Sequence, residues 1–176
     1  VASGPEAVDR LLERCGLPPR SARRSYLLDA PRAGLVLSDR FDLISELSEG
    51  SYGMVWKARD RMREDGDDDA VVAVKLLHIR HQSDPAMVER FRRGAATMAK
   101  HPHPNIARII AGPAEDRGYH YFAMELLDSD LEAEIEGEMD RRELIDVLEG
   151  IAEALAHVHG VPPPDGPIVH RDVKPS

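Results

Sequence analysis

The sequence is poor in cysteine, in aromatic residues and in positive charge. Its 176 residues include a single cysteine, Cys15, so neither an intrachain disulfide nor a cysteine-based zinc site can form. Disulfides mark oxidising compartments, so this composition favours a reducing one, and we expect a cytoplasmic location. Lys and Arg number 23 against 32 Asp and Glu, a net charge of -9, which argues against nucleic acid as a partner.

Long apolar runs are missing as well. No run reaches the roughly 18 residues that a membrane span needs, and the N-terminus has no basic segment followed by an apolar one. Membrane association is therefore not visible in this sequence, although a longer parent protein with a membrane anchor would be equally compatible with it. The chain begins at Val1 without an initiator Met and ends at Ser176 without a polar tail, so we expect both ends to be cuts.

Local patterns predict an α+β unit with a small antiparallel sheet. Residues 1–40 combine a short helix, about residues 6–15, with Pro and Gly breakers, and we interpret them as an N-terminal extension or linker. Asp84-Pro85 is a helix-start signal between the third and fourth predicted strands. Helical periodicity returns after Asp128. The five predicted strands cover residues 41–47, 54–58, 70–77, 106–111 and 119–126.

Three short motifs carry residues that are suited to phosphate chemistry. Residues 48–55 (SEGSYGMV) place two glycines at a hairpin tip, a pattern that an ordinary turn explains equally well when taken alone. Residues 72–75 (VAVK) end a buried strand with a lysine, which must find an anion or reach water because an unpaired buried ammonium is costly. Residues 170–175 (HRDVKP) follow a short apolar segment and collect an acid, a base and further charges.

In this order, the three motifs resemble the signature set of protein kinases. The resemblance covers about residues 41–176, and Lys174, two residues after Asp172, is typical of the eukaryotic-like serine/threonine kinases of bacteria. It implies a kinase-like fold cut short, with a five-stranded small lobe, one helix and the hinge over residues 41–127. A partial helical large lobe over residues 128–176 would end in the catalytic loop. The implied reaction is phosphoryl transfer from ATP, with Mg²⁺, to Ser or Thr hydroxyls of a protein substrate.

The resemblance also implies roles for individual residues. Lys75 would hold the α- and β-phosphates of ATP, Asp172 would accept or orient the proton of the substrate hydroxyl, and Lys174 would touch the transferred phosphate. Met124 stands at the gatekeeper position. Asp130 would bind the ribose, an assignment that competes with a role as a helix cap. The residues that would surround the nucleotide are Leu47, Ser48, Gly50, Gly53, Val55, Ala73, Lys75, Met124, Glu125, Leu127 and Asp130, with Glu125 and Leu127 contributing only backbone groups.

Two features depart from the kinase pattern. The helix after the lysine strand should supply a glutamate to Lys75, but Gly94 stands at that position and Glu89 is more than one turn away. The chain also stops before the asparagine and the Asp-Phe-Gly that hold magnesium in the family, so we expect this piece alone to be inactive. Gly94 favours an alternative function, a pseudokinase acting as a nucleotide-binding or scaffold module. The intact residues Lys75, Asp172 and Lys174 favour the enzyme.

Other clusters allow different interpretations. Six histidines, at 78, 81, 101, 103, 157 and 159, suggest a metal site, but no cysteine or carboxylate joins them at ligand spacing. The aspartates between residues 65 and 69 suggest calcium, yet the run lacks a twelve-residue loop with its closing glutamate, which favours a solvated hairpin tip. The prolines at 162–164 favour a stiff spacer over a ligand for a proline-binding domain.

Overall fold

Six strands of the chain form one antiparallel sheet. The computed structural model describes residues 28–64, 66–67, 70–129, 131–137, 139–162 and 166–169. The strands are β1 (Val36–Leu37), β2 (Phe41–Glu49), β3 (Gly53–Asp60), β4 (Val71–Leu77), β5 (Ile109–Asp116) and β6 (Tyr119–Glu125), in the spatial order β1-β2-β3-β4-β6-β5. The helices are α1 (Pro85–Lys100), α2 (Leu131–Glu136) and α3 (Arg141–His159). The predicted α+β architecture is thus present.

The sheet has one strand more than the sequence predicts. The five predicted strands are all found, and β1 precedes them within the segment interpreted as a linker. Residues 28–40, which we call the strap, pack on the sheet because they carry leucines that cover its apolar side. Leu37 is fully buried opposite Phe41, and Leu28 and Leu35 pack on the same core. The helix predicted at residues 6–15 lies outside the described residues.

Hydrogen bonds fasten the strap to the far edge of the sheet. The Tyr119 hydroxyl donates to the Asp29 carbonyl oxygen over 2.7 Å, and the Tyr121 hydroxyl lies 2.6 Å from the Ser38 hydroxyl. The Ser38 amide donates to a carboxylate oxygen of Asp116 over 2.7 Å. The strap therefore links β1, at one edge of the sheet, to β6 and β5 at the other edge, and the sheet is curled.

Alternation along residues 41–47 predicts one face made of Phe41, Leu43, Ser45 and Leu47, and the structure buries only its first half. Phe41 and Leu43 are buried, as the alternation predicts, but Ser45 and Leu47 are exposed. Register shifts after Leu43 and Glu46 interrupt the pairing of β2 with β3. Because each irregularity turns the strand, the period-2 pattern does not extend beyond the first bulge.

The fourth predicted strand lies later in the chain than expected. It runs over Ile109–Asp116 as β5, and Gly112-Pro113, a pair whose residue types predict a turn, lies inside it. The register shifts between Ala111 and Ala114, and such a bulge accommodates a proline, which has no N–H for the ladder. The next predicted turn, Arg117-Gly118, is confirmed: both residues have positive φ, as a two-residue hairpin turn requires.

The main core lies on one face of the sheet. Strand alternation places Val72, Val74 and Leu76 of β4 on this face, and all three have no exposed surface. The other buried members of the cluster are Leu37, Phe41, Leu43, Trp56, Ala58, Tyr119, Tyr121 and Ala123. Ala73 and Lys75 consequently point to the opposite face, which is left to α1 and to any ligand.

Helix α1 covers part of this second face and begins where the sequence predicts. The Asp84 carboxylate accepts from the amides of Ala86 and Met87, at 2.9 and 3.4 Å, and Pro85 occupies the first turn. The Phe91 ring packs on the Phe122 ring of β6, with 5.1 Å between centroids. The helix is therefore docked through its middle onto the end of the sheet that holds Lys75.

Helix α3 begins with a capping box. The Asp140 carboxylate accepts from the Glu143 amide, and the Glu143 side chain accepts from the Asp140 amide. Helical spacing predicts one apolar stripe along α3, made of Leu144, Leu148, Ile151, Leu155 and Val158. The stripe is only half-buried, and Leu148 is 52% exposed. None of the described helices is both long and apolar enough to cross a membrane.

Candidate nucleotide and phosphate site

Four of the predicted site residues share one face of the sheet. Val55 of β3 lies opposite Lys75 of β4, and Ala73 lies opposite Met124 of β6. Directly opposed residues of antiparallel strands present their side chains on the same face, and so do residues two apart in one strand. The four side chains therefore form a continuous patch on the face opposite the main core.

The glycine-containing hairpin between β2 and β3 borders this patch. Ser48 lies opposite Val55, and the Gly50 amide donates to the Gly53 carbonyl oxygen over 2.9 Å, which closes the tip. A Cβ on Gly53 would approach the Leu76 carbonyl oxygen to less than 3.0 Å, so only glycine allows β3 to lie this close to β4. A Cβ on Gly50 would meet nothing nearer than 3.8 Å. The close approach of the neighbouring strand β4 therefore requires glycine at position 53, whereas position 50 has no such constraint.

The segment after β4 holds the hairpin tip through two side chains that the sequence did not single out for this role. The His78 Nε2–H donates to the Gly50 carbonyl oxygen over 2.7 Å, and the His78 amide donates to the Tyr52 carbonyl oxygen over 3.0 Å. The Arg80 guanidinium donates to the Ser51 carbonyl oxygen over 2.8 Å. We call His78 and Arg80 the loop latch. The sequence marks His78 only as one of several histidines. Its contact with Gly50 is not predicted, because the two residues are 28 positions apart.

The end of β6 and the residues after it make up the segment that the kinase resemblance predicts to be the hinge. Met124 and Glu125 lie at the end of the strand, and Leu127, which follows it, is 62% exposed. The Glu125 amide donates to the Arg108 carbonyl oxygen over 2.9 Å, and its carboxylate accepts from the Arg108 amide over 2.7 Å. The side chain of Glu125 therefore fixes the hinge to the start of β5, in addition to the backbone role that the resemblance implies.

A cleft of about 500 Å³ opens on the same face as Lys75, between β4, α1 and residues 166–169. We call it the back cleft. Its walls are mainly apolar and include Phe91 and Met98 of α1 and Phe122 of β6. Val169, which directly precedes the predicted catalytic motif in the sequence, also lines it. The back cleft is thus lined both by Lys75 and by Val169, the residue that directly precedes the third motif.

Gly94 lines the back cleft together with Lys75, which agrees with its predicted place facing the lysine. A Cβ on Gly94 would have no atom within 4 Å. Glu89 points away: its side chain is 64% exposed and pairs with Arg93 over 3.2 Å. Across the described part of the chain, Lys75 forms no ion pair with a carboxylate. Within the described residues, Lys75 therefore lacks the glutamate partner that the kinase pattern provides.

Three predicted site residues, Asp130, Asp172 and Lys174, lie outside the described residues, and their roles stay predictions. The segment that leads to Asp172 is held to the end of α3, where the Ile168 amide donates to the Val158 carbonyl oxygen over 3.1 Å. Among the residues that are described, no group of His, Cys, Asp or Glu side chains is arranged to hold a metal ion.

The sequence matches a known protein family and is similar to several bacterial proteins. Residues 41–176 match the protein kinase domain family. The serine/threonine-protein kinase PknA of Mycobacterium tuberculosis (strain ATCC 25618 / H37Rv) is 35% identical over 153 residues, which cover 83% of this chain and 33% of PknA. The serine/threonine-protein kinase PrkC of Bacillus subtilis (strain 168) is 31% identical over 145 residues, covering 81% of this chain and 21% of PrkC. The chain spans a third or less of these relatives.

The fold is similar to that of a solved structure. The crystal structure of the Mycobacterium tuberculosis PknI kinase domain superposes with a TM-score of 0.62 at 22% sequence identity, covering 83% of this chain and 55% of that one. At this identity the likeness concerns the fold alone. It agrees with the expected small lobe followed by the start of a large lobe.

Proposed function

Because the chain belongs to the protein kinase family, we propose that its protein transfers the γ-phosphoryl group of ATP to Ser or Thr hydroxyls of protein substrates. The observation that carries the proposal is the common sheet face of Val55, Ala73, Lys75 and Met124, bordered by the glycine-containing hairpin. The names of PknA and PrkC support the Ser/Thr acceptor class. Since the chain covers a third or less of these relatives, the proposal concerns a longer protein.

The patch has the properties that a nucleotide seat requires. The side chain of Ala73 is a single methyl group, so a planar base on this face can approach the strand closely there. Val55 and Met124 add apolar contact on either side, and the hinge beyond Met124 offers backbone groups to the edge of the base. Lys75 places a positive charge two residues from Ala73, where the phosphates would lie.

The residues of the chain would act mainly by positioning and by charge neutralisation. Lys75 would hold the phosphates of ATP, which supplies the phosphoryl group. Asp172 would orient the acceptor hydroxyl and take its proton, and Lys174 would neutralise charge on the group in transfer. Support for this arrangement comes from Val169, three positions before Asp172, which lines the same cleft as Lys75.

Magnesium ions would neutralise the phosphates when bound. The described residues offer no cluster of ligands for them. From the kinase pattern, we propose that an asparagine and an Asp-Phe-Gly that follow Ser176 in the longer protein hold them. The single cysteine, Cys15, supports a reducing compartment such as the cytoplasm as the place of action.

The test is phosphoryl transfer by the protein extended past Ser176, with and without Asp172→Asn. We expect transfer of the γ-phosphate to Ser and Thr residues of a protein substrate, its loss in Asp172→Asn, and nearly unchanged nucleotide affinity in that variant. Asp146→Asn makes the same chemical change at an exposed position of α3 and serves as the control. Transfer that survives in Asp172→Asn would refute the assignment of Asp172. Nucleotide binding without any transfer in the unmodified protein would favour the pseudokinase alternative.

A further inference from the structure

We propose that the loop latch positions the hairpin tip for phosphate binding. His78 and Arg80 hold carbonyl oxygens of the tip on one side, so that the amides of the tip face the phosphates of the nucleotide on the other. Both are positioning residues, which act through the backbone of the hairpin and not by touching the nucleotide. The effect of the latch on nucleotide binding rests on the proposed function.

The hairpin tip gives three consecutive carbonyl groups to the segment that follows β4. The Gly50 and Ser51 carbonyl oxygens accept from the side chains of His78 and Arg80, at 2.7 and 2.8 Å, and the Tyr52 carbonyl oxygen accepts from the His78 amide. Residues 50–52 lie in no strand, so these bonds take the place of a sheet ladder. The tip is therefore fixed relative to β4, the strand that carries the lysine of the site.

The segment that carries the latch is itself fixed to the sheet. A short 3-10 helix, Ile79–His81, follows His78. The buried side chain of Gln82 donates to the Leu77 carbonyl oxygen over 2.5 Å and accepts from the His120 amide of β6 over 2.9 Å. Because its base is held by two strands, the latch can hold the hairpin tip instead of moving with it.

The His78 ring is a dependable donor to the tip. Its Nε2 lies 2.7 Å from the Gly50 carbonyl oxygen and 3.6 Å from a carboxylate oxygen of Glu49. Facing two acceptors, this nitrogen carries a proton in the neutral imidazole as well as in the cation. The residue is buried, so water competes little for the bond. His78 therefore keeps the Gly50 carbonyl group in place in either charge state.

The held carbonyl groups set the direction of the next amides along the chain. In a trans peptide the C=O and the following N–H point in opposite directions, and the cis bonds among the described residues lie elsewhere, before Pro113 and Pro167. The bonds to the Gly50 and Ser51 carbonyl oxygens therefore turn the amides of Ser51 and Tyr52 away from the latch. Within the described part of the chain, neither of these amides donates a hydrogen bond.

The side away from the latch is the side of the nucleotide face. His78 follows Leu77 with an extended backbone, φ -57° and ψ 144°, and so continues the alternation of β4. Its side chain consequently lies on the side of Leu76, opposite that of Lys75. The two amides that point away from His78 therefore point toward the side of Lys75, where backbone N–H groups and a lysine together can bind phosphate oxygens.

The order of the hairpin tip is measured first, without nucleotide, in the protein extended past Ser176. Relaxation of ¹⁵N should give order parameters of about 0.85 for the Ser51 and Tyr52 amides, the value of rigid backbone. His78→Phe keeps a ring and removes the donor, so we expect these order parameters to fall toward about 0.6. His78→Gln keeps an N–H donor and should retain the order of the tip.

The affinities for ATP with Mg²⁺ and for adenosine give the second readout, because adenosine has no phosphates. We expect His78→Phe to weaken ATP binding about fivefold, the equivalent of one hydrogen bond of about 1 kcal/mol, and to leave adenosine binding unchanged. His78→Gln should bind ATP nearly as the unmodified protein does. Calorimetry measures both affinities.

Arg80→Met tests the latch at an exposed position, where the substitution does not disturb a buried ring. It keeps most of the side-chain stem and removes the bond to the Ser51 carbonyl oxygen. We expect weaker binding of ATP and unchanged binding of adenosine. Arg61→Met makes the same change at another exposed position, which pairs with Asp42, and serves as the control.

Unchanged order parameters in both His78→Phe and Arg80→Met would overturn the proposal. Equal losses of affinity for ATP and adenosine would overturn it too, as would a His78→Gln variant that binds ATP as weakly as His78→Phe. Phosphoryl transfer with an ATP affinity that neither latch variant alters would contradict the latch and leave the proposed function intact. ATP binding that depends on the latch, in a protein that transfers no phosphoryl group, would support the latch and contradict the proposed function.

Discussion

Gly53 and Gly50 belong to the same hairpin, yet the structure predicts opposite outcomes when each is replaced by alanine. The Gly53 Cβ would approach the Leu76 carbonyl oxygen to less than 3.0 Å, so β3 and β4 must separate. Overpacking of this kind costs about 1–3 kcal/mol of unfolding free energy. Gly50 has a negative or extended φ and open space, so alanine there should be neutral or stabilise by about 0.4–1 kcal/mol through the unfolded state.

Urea unfolding of the chain and of both variants measures the difference. With a typical slope of about 1–3 kcal/mol per M, Gly53→Ala should move the midpoint down by on the order of 1 M, with little change in slope. Gly50→Ala, the matched control, should leave the midpoint in place or raise it slightly. The reasoning would be refuted if Gly53→Ala were as stable as the unmodified chain, or if Gly50→Ala lost more stability than Gly53→Ala.

Two further predictions concern the ends of the sheet. The Asp60 side chain is fully buried and accepts two hydrogen bonds from the Arg40 guanidinium, at 2.6 and 2.8 Å. Burial raises the pKa of Asp60, but the hydrogen bonds from Arg40 and from the Met62 amide outweigh burial, so the pKa is lowered. The stabilisation by the Asp60 carboxylate is therefore present above its unfolded pKa of about 3.8 and is lost as the pH falls through the lower folded value. Asp60→Asn should cost about 1.5–3 kcal/mol of unfolding free energy at pH 7 and less at pH 3, as measured by urea unfolding. An equal loss at both pH values would contradict this explanation. In the extended protein, His78→Ala removes the side-chain contact with the Gly50 carbonyl oxygen and should raise the KM for ATP about fivefold, the equivalent of one hydrogen bond of about 1 kcal/mol. Arg61→Ala, which breaks an exposed pair with Asp42, is the control. An equal KM in both variants would count against a role of His78 in the latch.

The parts of the site that the sequence predicts are those set by local pattern. The strand that carries Lys75 is short and apolar, which is a local signal, whereas Val55 and Met124 are expected beside it only from the kinase resemblance. The start of α1 is equally local, since Asp84 caps amides two and three positions away. The strand and the start of the helix are therefore predicted from neighbouring residues, whereas the pairing of the strands is not.

The parts that the sequence did not predict depend on contacts between distant positions. The strap joins the sheet through bonds such as that from Tyr119 to Asp29, which are 90 positions apart. The bulges of β2 and β5 leave no periodic signal, because each changes the period of the strand that contains it. His78 reaches Gly50 only once β3 and β4 have paired.

Because of the strap, the packed body of the protein begins earlier in the chain than the segment that matches the family. The family match starts at residue 41, whereas the core begins earlier, with Leu37 fully buried. A chain started at Phe41 would uncover that ring and leave the hydroxyls of Tyr119 and Tyr121 without their strap partners. The ancestry boundary at residue 41 therefore cuts through a single packed body, and the residues just ahead of it belong to the structure that presents the nucleotide face.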